Sequence, residues 1–140
     1  MEDFRTQLTA VLDGMLAEGV EPMFLVVELI GAEEIKRLKD VESLDTFREA
    51  AMASVISATH TGDAFSYGEY RIVGILPGFD RLKTFALIDK LRRALPLLAQ
   101  SFDCYLQPEF DTLEYDSKLG VAGLINQLVI KPKGPHREVA

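Results

Sequence analysis

The chain has 140 residues, 48% of them hydrophobic and 26% charged, the make-up of one globular domain able to bury a sizeable core. A net charge of −7, with no arginine-rich stripe, argues against nucleic acid as a partner. The single Cys104 excludes an intramolecular disulfide and offers no metal-ligand spacing, so a cytoplasmic setting and no cofactor or metal are expected.

In chain order, Phe4, Leu8, Val11, Leu12 and Met15 recur at helical spacing, and Gly19 is the stop of an amphipathic N-terminal helix. Residues 23–30 form a near-continuous apolar run bounded by Pro22 and Gly31, which predicts a strand buried on both faces. Glu28 interrupts that run, the longest in the chain, well short of the ~18 apolar residues of a membrane span. No membrane attachment is therefore expected, and the acidic start Met1-Glu2-Asp3 is unlike a signal peptide. Residues 35–40 suit a short helix. A longer one follows from about Ser43, with Leu44, Phe47, Ala51, Val55 and Ala58 on one face.

Residues 65–76 carry two β-prone runs around Gly68-Glu69, the pattern of a hairpin closed by Pro77-Gly78. Leu82, Phe85, Ile88, Leu91, Leu95 and Leu98 then mark the most regular amphipathic helix, with Pro96 expected to end or kink it. Phe102, Cys104 and Leu106 alternate with polar residues, which predicts a half-exposed strand ended by Pro108. Residues 109–120 are ambiguous, and 124–130 suit a last strand.

The order contains βαββαβ, a ferredoxin-like α+β fold with an antiparallel-rich sheet and helices packed on one face. The expected organisation is an N-terminal helix over 1–20, a domain over 21–131 and a solvated tail over 132–140.

The hairpin also carries a resemblance. Counting back from Leu76-Pro77-Gly78, the stretch Gly68-Glu69-Tyr70-Arg71-Ile72 resembles, in frame, the Gly-Gly-Asp-Glu-Phe signature of the GGDEF domains of diguanylate cyclases. The resemblance covers roughly residues 4–107 and implies the palm-like core that these domains share with class III nucleotide cyclases.

What the resemblance implies for chemistry is mostly loss. Active members join two GTP molecules with divalent metal held by carboxylates from the end of the first strand and the hairpin tip. Gly31-Ala32-Glu33-Glu34-Ile35-Lys36-Arg37-Leu38-Lys39-Asp40 fits the family's Asp-x-Asp-x-Phe-Lys-x-x-Asn-Asp frame. The first metal aspartate is thus Gly31, the second is Glu33, and the base-reading asparagine is Lys39, which donates but cannot accept. Glu28 reaches the first position only with a three-residue gap. At the hairpin Glu69 replaces the second glycine, and Tyr70 and Arg71 replace the acids.

The family's product-inhibition motif, Arg-x-x-Asp, has a near counterpart in His60-Thr61-Gly62-Asp63, one residue too close to the glycine, with Arg92 and Arg93 as possible further ligand contacts. The structural alternative is a helix end at His60 and a strand start at Asp63. Three functions remain open: an inactive GGDEF-like domain of a bacterial signalling system that binds a protein or itself, a non-catalytic receptor for cyclic-di-GMP or GTP, and a weak diguanylate cyclase. Under the first, Tyr67, Tyr70 and Arg71 at an exposed turn are the expected contact residues. The alternative is that the two tyrosines fold back as cross-strand partners.

Overall fold

The computed structural model describes residues 4–59, 63–67, 70–115 and 118–130. The elements are α1 (Phe4–Ala17), β1 (Pro22–Ile30), α2 (Glu33–Leu38), α3 (Val41–Thr59), β2 (Asp63–Tyr67), β3 (Arg71–Pro77), α4 (Arg81–Gln100), β4 (Gln107–Glu114) and α5 (Gly120–Ile130). The strands form one antiparallel sheet in the order β2-β3-β1-β4. The α+β core expected from the sequence is therefore present.

β1 is central because its apolar residues serve both faces. Met23, Leu25, Val27 and Leu29 join Ile72 and Leu76 of β3 beneath α2, α3 and α4, where Ile35, Phe47, Val55, Leu91 and Leu95 are buried. Gly74 belongs to this layer, and a Cβ there would touch the Val55 side chain at 3.4 Å, so α3 lies close to the sheet. The alternate residues Phe24 and Val26 meet Val73 and Ile75 on the opposite face. Leu8 and Leu12 of α1 and Leu124 of α5 cover them. Helices thus pack on both faces, not one. A sheet whose central strands are apolar on both sides needs both covers.

Further expectations are corrected. Residues 102–106 are not a strand: 101–103 turn, with Asp103 at φ 59°, and the strand begins at Gln107. Cys104 and Leu106 are buried because they cap the α2–α4 core, and Phe102 meets Phe47 edge-on at 5.7 Å. Pro108 lies inside β4 instead of ending the strand before it; β4 is an edge strand, so a missing N–H is tolerated. The 124–130 run is helical: it follows β4 as α5 and sets Leu124 over the apolar sheet face that α1 leaves partly uncovered, beside Phe24, Val26, Val73 and Ile75. α4 continues through Pro96, whose flanking turns are anchored by buried Leu91, Leu95 and Ala99. The buried stripe of α4 omits Leu82 and Phe85, which are 78% and 60% exposed.

Candidate functional site

The sheet end where β1 finishes and β3 begins gathers the residues that the signature singles out. Register sets Glu28 of β1 opposite Arg71 of β3 on one side and opposite Glu109 of β4 on the other. The Arg71 Nη2 donates to Glu28 Oε1 at 2.9 Å, and the two side chains are only 11% and 7% exposed. Two carboxylates facing each other across strands repel; the guanidinium on the third strand offsets that repulsion. A charge inside an apolar strand demands a partner, so Glu28 was the signal in the sequence for this pair.

Arg71 is therefore buried in the sheet and is not at an exposed turn. Tyr70 is half-buried against the core beneath α2–α4, and its carbonyl accepts from the Leu29 N–H at 2.7 Å, extending the β1–β3 ladder. Tyr67 closes β2 opposite Arg71, and Ile72 is fully buried. Gly68, Glu69 and His60 lie outside the described residues, as does the 131–140 tail.

Gly31 sits at φ +104°, and a Cβ there would lie 2.6 Å from the carbonyl oxygen of Tyr105. Both facts forbid a side chain: the backbone conformation favours glycine, and the space is filled by main chain. Lys39 makes an exposed ion pair with Asp103 at 3.1 Å, so the 101–106 segment lies over both Gly31 and Lys39. Glu33 is exposed in the first turn of α2. Among the described residues the donors do not fit a divalent cation: one position has no side chain and admits none, and the next carboxylate along β1 already holds a guanidinium. Among the described residues, no group of three or more histidines, cysteines or acids is arranged to hold a metal ion.

Arg92 and Asp63 are not brought together. The Arg92 guanidinium lies over the Phe110 ring of β4, 5.4 Å from its centroid, and 3.5 Å from Asp89. Asp63 starts β2 at the other edge of the sheet, three strand spacings away or about 14 Å. Arg93 is exposed on α4. Sequence reasoning also missed a cavity of about 820 Å³ at the opposite sheet end, bounded by the start of α4, the end of β4 and α5.

No family model and no curated protein sequence matches the chain. Solved structures do. The GGDEF domain of the Pseudomonas aeruginosa protein PA2567 is similar at TM-score 0.68 and 15% identity, covering 90% of this chain and 82% of that one. The GGDEF domain of DgcB from Caulobacter crescentus, in complex with c-di-GMP, gives 0.63 and 10%, over 94% and 83%. A sensory box/GGDEF family protein from Caulobacter crescentus gives 0.62 and 15%, over 93% and 90%.

Proposed function

We propose that this chain, which has the fold of GGDEF domains, is a catalytically silent member of that architecture that works by binding a protein within a bacterial signalling system. The observation that carries this reading is the buried Arg71–Glu28 pair. Diguanylate cyclase chemistry needs divalent metal near the end of β1 and the hairpin, to polarise phosphate and activate the attacking hydroxyl. Here a fixed guanidinium supplies positive charge to Glu28, the one buried carboxylate in that place among the described residues. A divalent cation 4 Å from Arg71 would meet a repulsion of about 8 kcal/mol at an effective dielectric of 20. Gly31 cannot contribute the missing oxygen, and Lys39, tied to Asp103, cannot read a guanine edge by paired donation and acceptance.

No described helix is long and apolar enough to cross a membrane; the reading places the domain in the cytoplasm. The test is turnover. Purified chain incubated with GTP and Mg²⁺ or Mn²⁺ is expected to form no cyclic-di-GMP, and product formation abolished by Glu28→Gln would overturn the reading.

A second reading, a non-catalytic nucleotide receptor, is favoured by the DgcB complex with c-di-GMP. Its expected ligand set is weakened here, because Arg92 and Asp63 sit on opposite sheet edges. Melting with and without cyclic-di-GMP or GTP separates the two readings: a ligand at a hundred times its Kd adds about 2.7 kcal/mol, and a protein-binding domain shows no such gain.

A further inference from the structure

The cavity at the start of β1 lies about 17 Å along that strand from Glu28, so it is separate from the degenerate signature and independent of the function proposed above. Its volume of about 820 Å³ falls in the range of small-molecule sites. Buried Met23 and Thr84 line it from the α4 side of the sheet, and half-buried Leu113 and Tyr115 from the other. Phe85 also lines it, although 60% of that side chain is exposed to water. At the rim stand Arg81 and Glu114, 79% and 67% exposed.

The rim decides the chemistry. Arg81 Nη2 and Glu114 Oε2 are 3.6 Å apart, too far for a hydrogen bond, and an exposed ion pair of this kind contributes about 0–1 kcal/mol. Parting them to admit a molecule therefore costs little. A ligand with one sign of charge would gain one of these groups and face repulsion from the other. A dipolar ion, with carboxylate and ammonium on a single carbon, satisfies both at once: its carboxylate accepts from the Arg81 guanidinium, and its ammonium donates to Glu114. The same molecule needs an apolar body to cover Phe85 and pack against Met23.

We propose that this cavity is a binding site for a free α-amino acid with a large apolar or aromatic side chain, gripped at its two charges by Arg81 and Glu114.

The test is calorimetric titration of the full chain with L-phenylalanine and L-leucine, against glycine and N-acetyl-L-phenylalanine amide, which lack the side chain and the charges respectively. The expected result is saturable binding of at least one of the two amino acids, weakened at least about tenfold in each of Arg81→Gln and Glu114→Gln, with neither control binding. Both positions are exposed, so the ligand-free variants should melt with the parent. No heat and no melting shift at about 10 mM of either amino acid would overturn the proposal. So would equal binding of the capped amide, or equal affinity in the two variants.

Discussion

Replacing Arg71 by methionine isolates the energetics of the β1–β3 end. The guanidinium donates to Glu28 at 2.9 Å, and both side chains are almost fully buried, with Glu109 across the strand on the far side. Arg71→Met keeps much of the volume but removes the guanidinium from a buried carboxylate that faces a second one. Breaking a buried pair in this way costs about 3–5 kcal/mol, a large part of the roughly 5–15 kcal/mol that holds a domain together. At ~2–4 °C per kcal/mol for a chain near this size, the melting temperature should fall by about 6–20 °C. The double variant Glu28→Met with Arg71→Met removes both charges and should recover most of that loss, because an apolar pair of similar volume is often as stable as a buried ion pair. Urea unfolding of parent, single and double variants measures the coupling. A single variant within about 1 kcal/mol of the parent, or a double no more stable than Arg71→Met, would refute the reasoning.

Gly31→Asp restores the family's carboxylate in sequence but not in space: the side chain meets the Tyr105 carbonyl at a strained φ, so a loss of at least about 2 kcal/mol in urea unfolding is expected, with no metal-dependent recovery. Asp40 accepts from the Ser43 N–H at 2.7 Å at the start of α3, and this bond holds its carboxyl below the ordinary aspartate range. Because the folded-state value is depressed, the cap stabilises fully above about pH 4 and its contribution is lost as pH falls through the folded-state value. Asp40→Ala should therefore melt below the parent at neutral pH and converge with it in acid; parallel melting curves across that range would contradict the assignment. Leu95→Ala, fully buried between α4 and the sheet, should lose about 2–5 kcal/mol, and a loss under 1 kcal/mol would show that Pro96 had already loosened that turn.

The core was legible wherever period and burial coincide. The near-continuous apolar run of β1 announced a strand covered on both faces, and Phe47, Ala51 and Val55 announced the inner face of α3. What stayed hidden depends on pairing between distant segments. Pro108 reads as a strand end until β4 is seen to be an edge, where one ladder side is open. An apolar run such as 124–130 suits a strand or a packed helix equally, and the apolar sheet face beside α1 that needs a cover decides it. Leu82 and Phe85 keep the helical period but lie off the buried stripe of α4, and both line or flank open space.

The site was legible as a set of departures from a pattern, but not as an arrangement. Arg71 beside a turn reads as exposed, and only the register that sets it against Glu28 reveals a buried pair. Gly31 reads as an absent ligand; its φ and the Tyr105 carbonyl show a position where no ligand side chain fits. The Arg92 and Asp63 pairing failed because one residue belongs over β4 and the other begins β2.

The central claim, that Arg71 occupies the role of the cation, is tested most directly by Mn²⁺ binding followed by electron paramagnetic resonance. The account predicts no stoichiometric Mn²⁺ at concentrations below about 1 mM, with or without GTP, and the same weak surface binding in the parent and in Glu28→Gln. One Mn²⁺ bound per chain and lost in Glu28→Gln would contradict it.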